Sequence, residues 1–475
     1  MLKQFLVVLL GVYCVLPNSA FGDTSSFPEP IAGSQDVSEA FKVFLLGDGQ
    51  NNKVKVTHPH YSSKPKLFLP ERMDIPHVDI DISLGSPFYR VATHLSWLSG
   101  PEGQAGPNAL IVDRDQTLSE EYLKYFVIQK DGKAYIRFYL HPLDTHYEPI
   151  LFKYLNEIGA NYERGSELKG YNTASRSLVV YDPETGFAFS LKTNTNTTSQ
   201  GDGKGELRPL PTRYAQAVRE ISDQFYKQKH RFKHLDIAWE PLSIGIPAID
   251  LATSVRVMDP LNQNEEFHLS GFVYNDNEKA HEMAKKAGMS YQEFWEKAFY
   301  IKGQAMAELA LIGGFWCGSN HAQNFRWVLD KNHQLLPKIV FLDISDGKPI
   351  APIFEARGEH AFLERWKKVN STSLNSNEPI KDKIQFTNFF RGDFGTAKSE
   401  HHQAMRNGLI ARASELLGVS AKEIHEVLNK TQAISKNNTY GWHMSLKNKK
   451  KAAVRAAHSF IQQERYSGKT CSSLF

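Results

Sequence analysis

Residues 294–343 restrict the fold of this chain more than any other stretch. The run from Phe294 to Gly314 (FWEKAFYIKGQAMAELALIGG) sets Phe294, Tyr300, Met306, Leu309 and Leu311 at roughly helical spacing and predicts a long apolar helix. Gly313 and Gly314 end it. The segment His321-Ala322-Gln323-Asn324 comes next. The run behind it (NFRWVLDKNHQLLPKIVFLDISDG) reads as strand, polar turn, strand, with Asp343 leaving the second strand. A helix that delivers histidine, glutamine and asparagine, then a hairpin that delivers aspartate, suits nucleotide phosphates and Mg2+. Such ions need oxygen ligands and hydrogen-bond donors held in one fixed frame. This pattern favours an enzyme over a binding module.

At 475 residues the chain has length for a substantial core and two or three domains or lobes. With 41% hydrophobic and 23% charged residues it reads as an ordinary globular protein. A net charge of only +4 gives no case for nucleic-acid binding. The basic run Lys447, Lys449, Lys450, Lys451 and Arg455 reads first as the solvated face of an amphipathic helix, and second as one or two lysines facing a phosphate.

At the N-terminus, Lys3 precedes an apolar run from Phe5 to Leu16, and Ala20-Phe21-Gly22 supplies the small residues of a cleavage site. Residues 1–22 are therefore expected to be a secretory signal peptide, and the chain to be exported, periplasmic or secreted. No later stretch is long and apolar enough for a stable membrane span. Cleavage leaves Cys317 and Cys471, which is no disulfide framework, and Cys317 reads as a small packed residue.

The order of elements is mixed, then β-rich, then helical. It predicts an α+β protein with lobes around a cleft. The expected division is an N-terminal mixed domain over 23–165, a core over 166–345 and a mainly helical domain over 346–475. Within the core, Leu178–Tyr181 and Phe187–Lys192 form a hairpin about a DPETG turn. Arg213–Gln228 is helical, and strands lie around Ile244 and Val255 and over 267–274. The segment 142–158 also reads as a helix.

Three basic residues precede the long helix. Arg176 and Lys192 flank the hairpin, so their side chains can converge on one face, and Arg208 follows a glycine-rich loop over Gly201–Gly205 that could fold over it. A triphosphate carries about four negative charges, and several fixed cations hold it in register.

In this order the motifs resemble the NRPS-independent siderophore synthetases of the aerobactin-synthetase type. The resemblance covers roughly residues 135–345. Arg176 and Ser177 fill the family's Ser-x-Arg-Thr turn, Lys192 its strand lysine and Arg208 its second arginine. His321, Gln323 and Asn324 fill its His-x-Gln-Asn motif, and Asp343 its aspartate beyond the hairpin. His141-Pro142 stands where the family carries His-Pro-Trp-Gln, and His58-Pro59-His60 with Lys64 faintly matches an earlier His-Pro motif. Three positions depart. Ala174 replaces the family's serine, with Ser175 and Ser177 beside it to supply a hydroxyl; Ser319 replaces an acidic residue; and Leu143-Asp144 replaces Trp-Gln.

The resemblance implies a fingers-palm-thumb cleft with a β-rich core and a mainly helical C-terminal part. It implies ATP and Mg2+ as cofactors, and a small carboxylate and an amine or alcohol as partners. A citrate-like acid would attack the α-phosphate, and the acyl-adenylate would pass to the amine or hydroxyl, as in siderophore biosynthesis for iron acquisition. It implies that Ser175, Arg176, Ser177, Lys192 and Arg208 hold the phosphates and that His321 donates to the α-phosphate. Gln323 and Asn324 would orient phosphate or metal, and Asp343 with Gln323 would carry Mg2+. His321, Lys192 and Arg208 would be catalytic. Oligomeric state stays open.

Two other readings remain. An exported kinase-like phosphotransferase or effector would solve the problem of where an exported enzyme finds ATP. Its one motif is Arg391-Gly392-Asp393-Phe394-Gly395, which reads better as a tight polar turn. A non-catalytic secreted binding protein with a vestigial ATP site is the other. Of 18 histidines only His230 and His234 have i,i+4 spacing, with no HExxH arrangement.

Overall fold

A computed structural model describes residues 54–56, 66–68, 73–88, 92–93, 110–114, 118–174, 176–185, 187–196, 209–257, 266–275, 277–317, 324–330, 332–344, 347–373, 380, 384–386, 399–425 and 442–444. Its largest element is a curled ten-stranded sheet. In chain order the strands of that sheet begin with β3 (Met73–Asp81), β4 (Ala92–Thr93) and β5 (Ile111–Arg114), after a separate ribbon of β1 (Val54–Val56) and β2 (Lys66–Phe68). They continue through β6 (Val127–Lys130), β7 (Lys133–Tyr139), β8 (Tyr162–Ala174), β9 (Ser177–Tyr181) and β10 (Ala188–Lys192). After β11 (Leu235–Ile237), which belongs elsewhere, β12 (Leu242–Ile246) and β13 (Leu251–Arg256) complete the sheet. The spatial order is β4-β5-β12-β13-β10-β9-β8-β3-β7-β6, antiparallel at each junction except β4–β5.

A four-stranded second sheet has the order β11-β17-β16-β14, from β14 (Glu266–Ser270), β16 (Phe325–Asp330) and β17 (Leu335–Phe341). Small pairs join β15 (Phe315–Trp316) to β18 (Lys348–Pro349) and β19 (Ile384–Phe386) to β20 (Trp442–Met444). The helices are α1 (Glu120–Leu123), α2 (Tyr147–Glu157), α3 (Thr212–Lys227), α4 (Asn277–Lys286), α5 (Tyr291–Glu308), α6 (Ala351–Ala356), α7 (His360–Ser373) and α8 (Ser399–Leu417). None among the described residues is long and apolar enough to cross a membrane.

Period-2 patterning explains the large sheet. On β3, Val78 and Ile80 are buried on one face beside Phe138 and Ile136, their partners on β7. His77, Asp79 and Asp81 alternate with them onto the other face, where Arg137 clamps Asp79 (Nε to Oδ1 2.7 Å, Nη2 to Oδ2 2.9 Å) and Lys130 adds a third contact at 2.9 Å.

A second core gathers around α5. Ser290 and Glu293 close a capping box at its start, with Ser290 Oγ accepting from Glu293 N at 3.2 Å and Glu293 Oε2 from Ser290 N at 3.0 Å. Phe294, Trp295, Ala298, Phe299, Ala305 and Met306 are all buried, so the helix is enclosed rather than half-wet. It meets α8 at two glycines: a Cβ on Gly303 would strike the Met405 carbonyl, and one on Gly408 the Tyr300 carbonyl.

Several expected boundaries differ. The long helix is α-helical only to Glu308. Leu309–Gly313 then form a π turn, and Gly314, at φ +80°, ends it in the left-handed region that favours glycine. The helix expected over 142–158 starts at Tyr147, because the Asp144 carboxylate takes the N–H groups of His146 (3.3 Å), Tyr147 (2.9 Å) and Glu148 (2.7 Å). The strand expected over 267–274 ends at Ser270 and turns into a 3-10 helix over Gly271–Asn275. His230 and His234 share no α-helix. A 3-10 turn covers Lys229–Arg231, and His234 leads into β11 with its Nδ1 against the Pro337 carbonyl at 2.8 Å. The signal segment 1–22, His58–His60 with Lys64, Arg391–Gly395, Lys447–Arg455 and Cys471 lie outside the described residues.

Candidate functional site

The end of β10 builds the site. Its register with β13 pairs Ser190 with Arg256, Leu191 with Val255 and Lys192 with Ser254. Alternation therefore puts Ser190, Lys192, Ser254 and Arg256 on one face while Leu191 and Val255 enter the apolar core behind. On the other side β9 sets Ser177 opposite Lys192. The turn from β8 into β9 carries Arg176, whose carbonyl accepts from Thr193 N at 2.9 Å and whose Nη1 donates to the Pro209 carbonyl at 2.7 Å.

The second sheet supplies the opposite wall. Phe325 pairs with Phe341 at the open end of the β16–β17 hairpin, and Leu342 N donates to the Asn324 carbonyl at 2.7 Å. That end points Asp343 at the large sheet, where Lys192 Nζ reaches Asp343 Oδ1 at 3.2 Å. Lys192 is 5% exposed and Asp343 25%, so the pair has a buried cationic end and a wetter anionic end. Cys317 Sγ approaches the Asp343 carbonyl at 3.9 Å, a weak contact of a packed, buried thiol.

Around this pair lie residues the sequence does not single out. Arg256 forms a two-nitrogen contact with Glu240 Oε1, at 3.2 Å from Nε and 2.5 Å from Nη2, and Ser254 Oγ donates to Glu240 Oε2 at 3.1 Å. Tyr214 on α3 spreads its ring under both candidate cations, 5.3 Å from the Arg176 guanidinium and 6.0 Å from Lys192 Nζ. Arg326, two residues beyond Asn324, stands close enough to Arg256 to feel its charge.

The electrostatics follow. Burial pushes the Lys192 ammonium below the usual lysine range, with Arg176 and Arg256 adding to the effect and Asp343 and Glu240 opposing it. Arg326 is brought down to about 10 by burial first and by Arg256 second. Burial also disfavours the charge on Arg256, but Glu240 and Asp343 outweigh it and hold its pKa above the ordinary value. Four cations (Arg176, Lys192, Arg256, Arg326) thus face two carboxylates, of which Glu240 is committed to Arg256 and Ser254. Burial weighs on Lys192, Arg256 and Arg326, and desolvated cations in excess make a receptor for a polyanion.

Of the residues expected at the site, Arg176, Ser177, Lys192 and Asp343 come together here, and the Asn324 backbone lies one rung away. Ser175, Arg208, His321 and Gln323 lie outside the described residues. Among the described residues no group of three or more His, Cys, Asp or Glu is placed to hold a metal ion. Asp343 alone fits a cation that takes one carboxylate and fills its other positions with water and phosphate oxygens, as Mg2+ does. The missed residues left faint signals: Ser254 and Arg256 sit at i,i+2 in LATSVR, and Arg326 follows the HAQN segment directly.

No family model and no curated protein matches the chain. Solved structures overlap it at low identity. Aerobactin synthetase IucC from a hypervirulent pathotype of Klebsiella pneumoniae is 10% identical with a TM-score of 0.45, over 82% of this chain and 64% of that one. Aerobactin synthetase IucA from the same pathotype is 12% identical with a TM-score of 0.45, over 82% and 72%. Its ATP-bound form is 11% identical at the same TM-score, over 82% and 74%. The chain thus spans 64% of the length of the IucC chain. With TM-scores of 0.45, fold and chemistry stand on this chain's own residues.

Proposed function

We propose that the Lys192–Asp343 cleft binds ATP with Mg2+ and activates a small carboxylate, of citrate type, for condensation with an amine or hydroxyl. One observation carries the reading: a buried lysine and a half-wet aspartate from different sheets meet at 3.2 Å within a ring of arginines. An entering polyphosphate competes with Asp343 for Lys192, and the carboxylate so released is the single protein ligand a phosphate-bound Mg2+ requires. Arg176 and Lys192, stacked over Tyr214, are positioned for phosphate oxygens, and Asn324 borders the same edge. Ser175, Ser177, Arg208, His321 and Gln323 complete the set on the strength of their sequence order.

In the reaction, a carboxylate oxygen attacks the α-phosphorus and the bridging bond to the β-phosphate breaks, releasing pyrophosphate. The amine or hydroxyl then attacks the acyl carbon, expels AMP and loses its proton. The cations act by stabilising charge that grows on the phosphoryl oxygens. On this reading the protein is a ligase of the siderophore-synthetase kind, its two walls are parts of a fingers-palm-thumb cleft, and residues 1–22 are an export signal.

Pyrophosphate release by the chain starting at Asp23, with ATP, Mg2+, a panel of acids including citrate, and hydroxylamine as trap, tests the reading. Acid-dependent release is expected. Transfer of the γ-phosphate to protein without pyrophosphate would replace it with a phosphotransferase.

A further inference from the structure

Strands β7 and β10 run in the same direction in the curled sheet, since three strands (β3, β8 and β9), joined by antiparallel pairings, separate them. They leave it at the same end. The curl brings them face to face, with Tyr139 and Phe189 ring centroids 6.2 Å apart inside the core. Two residues beyond Tyr139 lies His141, and four beyond Phe189 lies Thr193, both on the inward side by the same alternation. The loops that follow are latched together. Asn196 Oδ1 accepts from Thr145 N at 3.0 Å, and Asn196 Nδ2 donates to Thr145 Oγ1 at 2.8 Å.

Between the ring contact and this latch, each strand end carries one buried polar group without a partner among the described residues. His141 is 1% exposed and its Nε2 makes no hydrogen bond; Thr193 is 0% exposed and its Oγ1 makes none. The tautomer of His141 is fixed by its other nitrogen, because Nδ1 accepts from Leu143 N at 3.2 Å, so the neutral ring carries its proton on Nε2. Burial keeps that ring neutral, with a pKa down at about 4. Both groups are therefore donors in search of an acceptor oxygen.

The subsite adjoins the candidate cleft. Thr193 N donates to the Arg176 carbonyl, Lys192 leaves the same strand on the opposite face, and the Tyr147 phenol above feels the Arg176 charge. We infer that the His141 Nε2–H and the Thr193 hydroxyl form a buried donor pair, beneath the 142–146 loop, that takes a carboxylate oxygen of a small acid. The pair itself is a property of the fold; the choice of a carboxylate rests on the proposed function.

The full chain, selectively labelled with 15N-histidine, is titrated with acetate in the absence of nucleotide, with the His141 signals assigned by their loss in His141→Gln. A saturable shift of the Nε2–H resonance is expected, weakened about tenfold in Thr193→Val and restored in Thr193→Ser. No saturable shift, a shift indifferent to Thr193→Val, or saturation by acetamide but not acetate overturns the assignment. So does a water or chain group seen bridging both donors and unmoved by acetate. The titration contains no ATP, so pyrophosphate release without a His141 response sinks only this subsite. Acetate binding without pyrophosphate release sinks only the nucleotide reading.

Discussion

Lys192 illustrates how a side chain that is unfavourable for stability can sit where the proposed chemistry would use it. Its ammonium is buried against a carboxylate that is itself a quarter exposed, so Asp343 can hydrate if the lysine is removed. Lys192→Met is expected to hold or raise stability by up to about 1 kcal/mol at neutral pH while abolishing pyrophosphate release, measured by urea unfolding and by turnover. The pH dependence separates the two forms further. Below the ordinary lysine value the unfolded chain binds the proton more firmly than the native state, so wild-type stability rises as the pH climbs through that alkaline window. The methionine variant lacks the rise; identical alkaline profiles would remove the argument. Two histidines act at the acid end. Burial brings His141 to about 4, and burial with Arg137 holds His77 at about 4 against Glu167 and Asp79. Unfolded, both titrate near 6.5. Their contribution is complete above that value and is lost as the pH falls toward 4. Between about pH 7 and about pH 5, His141→Gln is expected to lose about 2 kcal/mol less than wild type in urea midpoints. Parallel losses would show that the ring is not buried neutral. Sequence singles out Lys192 and Asp343, which the structure brings into contact, but not Arg256 and Glu240, because alternation assigns faces while strand pairing decides which faces meet.

Among the elements, α5 and α8 are tied by one ion pair in which neither partner is exposed. Arg412 Nε donates to Glu308 Oε1 at 2.8 Å, and the same carboxylate accepts the N–H groups of Lys233 (3.1 Å), His234 (2.9 Å) and Leu235 (3.0 Å) where the chain enters β11. Glu308 therefore caps an incoming strand as well as pairing a helix. Arg412→Leu is expected to destabilise by about 3–5 kcal/mol and Glu308→Leu by more, because the latter also strands three backbone donors. Chemical denaturation of both variants checks the order; equal losses would mean that the backbone contacts carry little. Sequence gives α5 its start, through Ser290 and Glu293, but misses the π turn at 309–313, since an extra residue in a helical turn leaves an apolar pattern unbroken. The late start of α2 was equally hidden, because Asp144 caps from two residues before the cap position.

For the whole molecule, the fold class of mixed helix and sheet was readable from the order of patterned segments, and so were the hairpins β9–β10 and β16–β17. The ten-strand order was not, because neighbours such as β10 and β13 are distant in sequence and no local pattern names a partner. A ligand that bridges the two sheets stabilises both. ATP at about a hundred times its Kd should add about 2.7 kcal/mol, seen as a melting temperature that climbs with the logarithm of ATP and stays flat in Lys192→Met. A rise preserved in that variant would place the nucleotide elsewhere. The Lys192–Asp343 contact joins residues 151 positions apart. A ribosome therefore finishes β10 long before it supplies the aspartate, and until then Glu240 is the nearer counter-charge in synthesis order. The cleft is a late product of folding, and a chain cut just before Asp343 keeps Glu240 beside its cations but lacks the carboxylate of the opposite wall.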